Sequence, residues 1–408
     1  LRLRELTMLI MALLVCIFTL SLIIYPQEVL ESSRDGLLIW SNSVFPSLLP
    51  FFIAAELLIA FGVVSFLGVI LDPIMRPLFN VPGAGGFVWA MGLVSGFPSG
   101  AKFTVRLRKQ KKITQEEAER LVSFTNCSNP LFICGAVAVG FFHNVSLGLL
   151  LAFTHYSSNV VVGLIMRFYK STTSPSTEAV SSHSVKVAIQ AALHEQNNDK
   201  RPFGKKLGDA VTSSINTLFM IGGFIVLFSV LYRLLNVTGI IDYMAWFPNL
   251  ILASVSYGSD LAFPWLSGFF EITVGNKLIS DLASIPLLQK AVVAAFILGF
   301  SGFSVHAQVA SLLAETDIRF SPFFFARWLH GIIAALLTYI FWQPLYIQRL
   351  EQPAVSGSTN ESFIVIWETI NKQIINYGSF VTMVFLFLYI LLITSFTTKE
   401  HTRNRDSF

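Results

Sequence analysis

The sequence is short of charge. Lys, Arg, Asp and Glu together supply 13% of its 408 residues, about half the share carried by soluble domains. So few ions cannot clothe a water-facing surface of this size, which excludes an ordinary soluble enzyme. Cysteine is almost missing as well. Cys16, Cys127 and Cys134 are odd in number and lie in apolar segments, so neither a disulfide framework nor a thiolate metal site can be assembled. There is no P-loop, no dinucleotide fingerprint, no H-E-x-x-H and no basic–aromatic surface. ATP-driven work, a bound cofactor, a catalytic metal and a nucleic-acid partner are therefore not expected. A coupling Na+ or H+ is left open, and so is assembly into a homo-oligomer.

What is present is apolar. Hydrophobic residues reach 54%, Phe alone accounts for 38 positions, and mean hydropathy is +0.66. Runs near 20 residues, long enough to cross a bilayer, fall at 7–25, 37–62, 115–142, 145–168, 207–235, 291–313, 326–346 and 375–396. The expected class is an all-α polytopic membrane protein of about eight transmembrane helices in a lipid bilayer. The first run has a basic start and no small-x-small cleavage site, so it reads as an uncleaved span. Lys and Arg collect on one side: Arg2 and Arg4, Arg76, the RLRKQKK run Arg106–Lys112, the linker 167–206, then Arg319, Arg327 and the tail. The positive-inside rule then places both termini in the cytoplasm.

Two further apolar regions, 84–104 and 250–282, are interrupted by Gly, Pro, Ser and Asn. Each reads as a re-entrant helical hairpin, since broken backbone at membrane depth survives only where protein or a watery cavity satisfies it. The interruptions recur in order. GFVWAMGLVSGFPSGAK (86–102) aligns with AFPWLSGFFEITVGNK (262–277), pairing Phe87 with Phe263, Trp89 with Trp265, Gly92 with Gly268 and Lys102 with Lys277. SFTNCSNPLF (123–132) then meets FSGFSVHAQV, with Ser128 opposite Ser304. A unit of three crossings and one hairpin must insert its second copy upside down, giving two inverted repeats whose shared site lies mid-bilayer. The segments are thus 1–35, first span and external loop; 36–169, repeat 1 with hairpin 84–110; 170–206, a polar cytoplasmic linker; 207–347, repeat 2 with hairpin 250–282; and 348–408, external loop, last span and tail. Helix packing by small residues would produce some of the same signals.

Candidate site residues follow from those breaks. Lys102 and Lys277 are ionisable groups at equivalent positions, and such groups inside a membrane default to function; a snorkelling Lys102 is the plain alternative. Ser95, Ser99 and Asn276 flank the hairpin tips. Asn126, Ser128 and Asn129 sit in the break ahead of Pro130, where a following half-helix offers free N–H groups to an anion; Ser301, Ser304 and His306 are their counterparts. Glu271 is a cation ligand or a partner for Lys277, and Glu56 an ion-coupling group or a helix-pairing one. Two lysines and two half-helix ends favour an acidic solute. Two other classes compete. GFSG (299–302), His155-Tyr-Ser-Ser-Asn159 and His330-Gly331 imitate a rhomboid-like intramembrane protease with Ser301 as nucleophile. The linker 170–206 would suit a non-transporting scaffold.

The block GFVWAMGLVSGFPSGAK, followed by ITQEEAERLVSFTNCSNPLFICGAVAVGFFHN, resembles the YlbJ-type sporulation integral membrane proteins, also called stage V sporulation protein V. The stretch from SLIIYPQEVL to FIAAELLIAFGVV and the segment GFSGFSVHAQVASLLAETDIRFSPFFFARWLHG are similar too, so the resemblance runs from the first span to about residue 346. It implies nucleoside-recognition gate domains, which resemble concentrative nucleoside transporters with re-entrant hairpins. It further implies movement of dipicolinic acid from the mother cell across the outer forespore membrane. A nucleoside-type ion-coupled symporter is the nearest alternative. A planar dicarboxylate agrees with the two lysines.

Overall fold

A computed structural model describes residues 3–171 and 184–348, and among them every regular element is helical. The expected span at 375–396 lies outside the described residues. Four stretches are long and apolar enough to cross a membrane: Val145–Met166, Phe203–Val237, Leu287–Leu313 and Phe320–Ile347; two bent pairs bring the number to six. The first pair is α1 (Leu3–Ile24) and α2 (Pro26–Ile39), bent by 100°. Tyr25 precedes a proline, which disfavours helical backbone there. The second pair is α3 (Phe45–Ala60) and α4 (Val63–Phe79), bent by 83° at Gly62, whose φ is +75°.

Helix α4 differs from expectation. No span is expected over 63–79, yet a helix runs through it with Pro73 and Pro77 inside. Asp72 holds this stretch in place: one carboxylate oxygen accepts from Arg76 at 2.7 Å and the other from the Gly83 N–H at 2.8 Å.

Next come α5 (Ala84–Ser95), a turn at Gly96–Pro98, and α6 (Ser99–Lys109). At 1.5 Å per residue α5 is only about 18 Å long, too short to cross a hydrocarbon core of about 30 Å. Helix α7 (Gln115–Thr125) opens on a capping box between Thr114 and Glu117. It stops at a non-helical break, after which a π-helical segment (Leu131–Phe141) leads to α8 (Val145–Met166). The second half follows a related order: α10 (Phe203–Val237), α11 (Ile240–Met244), α12 (Trp246–Ser254), then short α13 (Ala262–Phe270) and α14 (Ile272–Asp281) parted by Glu271. Helices α15 (Leu287–Phe300) and α16 (Gly302–Leu313) are parted by Ser301, and α17 (Phe320–Trp342) follows. The skipped element is α9 (Val185–Asn198) in the linker.

Helix α17 has an inside-out polarity. Arg327, His330, Ala334 and Thr338 are buried, whereas Ile332, Leu336, Tyr339 and Ile340 are more than half exposed. A helix in water would turn those faces the other way; here the apolar stripe suits lipid. The same holds for α1, where Leu13, Val15, Ile23 and Ile24 lie bare.

The two halves interlock. Helix α6 of the first short pair packs on α16, beyond the second half's break, while α14 of the second pair packs on the π segment beyond the first half's break. Helix α17 lies against α7, α8 and α15.

The linker is not all tether. Ser184 caps α9, which packs on α4. Glu195 accepts from Lys112 at 2.9 Å and from Ser65 at 3.2 Å. Near its end, the Arg201 guanidinium hydrogen-bonds Asp199 and holds that carboxyl well below its usual range. A Cβ at Gly62 would stand 2.6 Å from the Ala192 carbonyl, in a backbone region that side chains rarely adopt. Gly62→Ala is therefore expected to loosen α9. Amide exchange over 185–198 should accelerate at least ~10-fold while α8 keeps its protection, consistent with local opening.

Candidate functional site

The site grows from the break after α7. Thr125 ends that helix, and its carbonyl is crowded by the first short pair: a Cβ at Gly92 would lie 1.9 Å from this oxygen and one at Gly100 2.2 Å. Glycine at both positions lets hairpin and break touch backbone to backbone. Asn129 ties them further. Its Nδ2 donates to the Ser95 carbonyl at 3.2 Å, and its Oδ1 accepts from the Phe132 N–H at 2.7 Å, capping the π segment.

The second half is capped differently. One oxygen of the buried Glu271 carboxylate accepts from the Thr273 and Val274 N–H groups at 2.7 and 2.8 Å, the arrangement a helix N-terminus favours. Ser301, with φ +73°, donates to the Phe300 carbonyl at 2.5 Å, and His306 Nε2 lies 2.8 Å from the same oxygen. A Cβ at Gly302 would stand 3.1 Å from the Gly268 carbonyl, so this short pair also abuts a break.

Between α7, α8 and α17 runs a buried polar seam. Arg327 is wholly buried and donates to the carbonyls of Asn126, at 2.6 Å, and Ser123. The Ser128 N–H donates to His155 Nε2 at 3.1 Å, and Tyr156 donates to the Ser128 carbonyl at 3.0 Å. His330 Nε2 is 2.9 Å from the His155 carbonyl, with the two rings 4.6 Å apart. Thr338 donates to Thr154 at 3.0 Å and extends the seam. Several buried groups in it meet no protein partner: both side-chain atoms of Asn126 and of Asn159, Ser95 Oγ, Ser128 Oγ and Nδ1 of both histidines. The indole N–H groups of Trp89 and Trp265, aligned with one another in sequence, share that condition.

The expected residues separate into two sets. Asn126, Ser128, Asn129 and Ser95 come together at the first break. Lys102 does not join them: its ammonium stands 2.9 Å from Glu56, in ion contact without hydrogen-bond alignment, and Arg106 also pairs with Glu56. Ser213 on α10 donates to the same carboxylate at 2.9 Å. Lys277 is half exposed and pairs with Asp281 at 2.8 Å, one turn along its own helix, rather than with Glu271. Asn276 donates to the Ile272 carbonyl at 2.8 Å and leaves its Oδ1 unpartnered. Ser99 donates to the Gly96 carbonyl at 2.6 Å, and Ser304 is buried on α16. Ser301 and His330 each engage a different backbone carbonyl, so no hydroxyl–imidazole pair links them.

The sequence reading placed Arg327 among the cytoplasmic cations. It lies instead roughly 10 Å along α17 from Phe320, fully enclosed. The readable signal was spacing, for Arg327 and His330 share one helical face with Ala334 and Thr338.

Lipid-facing apolar stripes around a polar seam, with short helices packed into helix breaks, define an all-helical polytopic integral membrane protein. A family model described as nucleoside recognition, Gate, matches residues 42–145, the region from α3 through the first break and the π segment to the start of α8. The sporulation integral membrane protein YlbJ of Bacillus subtilis (strain 168) is 50% identical over 399 residues, covering 96% of this chain and 97% of that protein. The chain belongs to the YlbJ family of sporulation integral membrane proteins.

Proposed function

We propose that this protein is a transporter for a small organic acid and that it moves dipicolinic acid out of the mother cell across the outer forespore membrane, with its N-terminus in the cytoplasm. The observation that carries the reading is the reciprocal packing of α6 on α16 and α14 on the π segment. It suits two inverted repeats whose short helical pairs are re-entrant hairpins, each closing on the other repeat's broken span. Such an arrangement can expose a mid-membrane site to either side by rocking one bundle against the other. The buried polar seam supports a polar cargo, since a scaffold would gain nothing by leaving hydroxyls and amides unpaired at that depth. Among the described residues no group of three or more metal-ligating side chains converges.

The test is uptake of labelled dipicolinate into proteoliposomes, at varied Na+ and pH, with nucleosides as competitors. Uptake is expected to exceed that of empty liposomes at least ~10-fold and to resist excess nucleoside. Nucleoside uptake without dipicolinate uptake would overturn the cargo in favour of the kind of ligand that the gate description names.

A further inference from the structure

We propose that Arg327 receives a carboxylate of the transported acid, with Ser128 and Asn126 hydrogen-bonding the same group at the break after α7. The assignment rests on the transport reading above and locates its anion-binding centre.

Burial comes first. Arg327 has no exposed surface, and no carboxylate lies within ion-pair distance of it among the described residues. Lys102 and Arg319, by contrast, each stand against a carboxylate, that of Glu56 and of Glu119. Burying an ionised side chain away from water is costly unless it is paired, so a fold that retains a fully enclosed guanidinium without a counter-charge calls for a reason.

A structural reason covers part of the side chain. The last turn of a helix leaves carbonyls without N–H partners, and Arg327 donates to Ser123 and Asn126 at the end of α7. Those contacts use the two terminal nitrogens. Nε, equally enclosed, has no protein acceptor. A guanidinium offers five donors in a planar fork, and the Nε side is one of the edges that grips a carboxylate with two parallel bonds. Lysine could staple a helix end; the planar fork is the feature that suits arginine to a planar anion.

The neighbours complete the case. Asn126, whose carbonyl Arg327 holds, has its whole side-chain amide buried and unpartnered, and Ser128 Oγ two residues on is in the same state. Each such group costs about 1–3 kcal/mol, and apolar residues would have served the packing better. All three therefore present donors at one helix break. Phe323 lies against the guanidinium, 5.6 Å from ring centre to carbon, and offers an aromatic wall. A planar aromatic carboxylate matches this set of donors and this wall.

The experiment uses the full chain in nanodiscs, with equilibrium binding of labelled dipicolinate and ligand-induced change in Tm. Phthalate and pyridine-2-carboxylate serve as further acids. Wild type should bind dipicolinate and gain Tm with it. Arg327→Gln should weaken binding at least ~20-fold, the loss of a charge-assisted bond, and Arg327→Lys should bind more weakly than wild type but better than Arg327→Gln. Ser128→Ala, which removes a buried hydroxyl with no protein partner, should not lower the ligand-free Tm and should weaken binding ~3–10-fold; it decides the matter if the arginine variants do not fold. Wild-type affinity in Ser128→Ala and in every arginine variant that folds overturns the assignment while leaving transport intact. Binding of the other acids, dependent on Arg327 or Ser128 but without dipicolinate, retains the anion site and removes the cargo. Binding of none of the acids overturns both.

Discussion

Chains carrying Gly92→Ala or Gly100→Ala are expected to yield no folded protein. Their added methyl groups would stand 1.9 and 2.2 Å from the Thr125 carbonyl oxygen, where ordinary contact begins beyond 3 Å. That oxygen belongs to backbone held by Arg327 and Asn129 on either side of the break, so it cannot swing away as a side-chain tip would. Overpacking ordinarily costs 1–3 kcal/mol and occasionally more; a backbone clash at the junction of hairpin and broken span belongs to the upper end, at ~3 kcal/mol or above. The expected result is a void-volume peak on size-exclusion chromatography in detergent. Gly223→Ala, where the space is open, should give the wild-type profile and serves as the control. A monodisperse Gly92→Ala protein with unchanged Tm would show that hairpin and break do not touch as described.

Glu56 should be the next most sensitive position. Its carboxylate is 5% exposed and faces Lys102, Arg106 and the Ser213 hydroxyl. Glu56→Ala leaves two cations facing each other in a buried place, and removing one partner of such a set typically costs about 3–5 kcal/mol. At about 2.1 cal/mol/K of unfolding entropy per residue, Tm of this 408-residue chain should fall by roughly 5 °C. The Lys102 ammonium also lies 5.0 Å from the centre of the Phe52 ring and the side chain is 11% exposed, so a methionine there would meet apolar surroundings. Adding Lys102→Met to Glu56→Ala should therefore recover about half of the loss. If the double variant is no more stable than Glu56→Ala alone, Lys102 and Glu56 are not coupled, and Lys102 would again be available for an anionic ligand.

Much of the architecture was legible because membrane physics writes it into local composition. Charge scarcity and runs of 20 apolar residues identify the class, and the breaks at 96–98, 126–130 and 301 were marked by Gly, Pro, Asn and Ser in segments that should otherwise be helical, whereas the break at Glu271 carried no such mark. Helix α4 falls outside the runs of 20 apolar residues, and nothing local reveals that Asp72 secures the neighbouring turn. Half of the linker escaped as well. Its polar composition resembles a tether, whereas Ala188 and Ala192 are buried and Gly62 leaves room for the Ala192 carbonyl.

The sequence alone determined that this chain lives in a bilayer, that its helices break in the first short pair and ahead of Pro130, and that small residues line those two breaks. Each of these follows from interactions between near neighbours, or between one side chain and lipid. Only the tertiary structure decided which cation is neutralised and which is not. Lys102 looked free until folding brought α3 and its Glu56 alongside, and Arg327 looked peripheral until folding set it against carbonyls about 200 residues away. Electrostatic pairing depends on distances through space, and those are settled when helices pack.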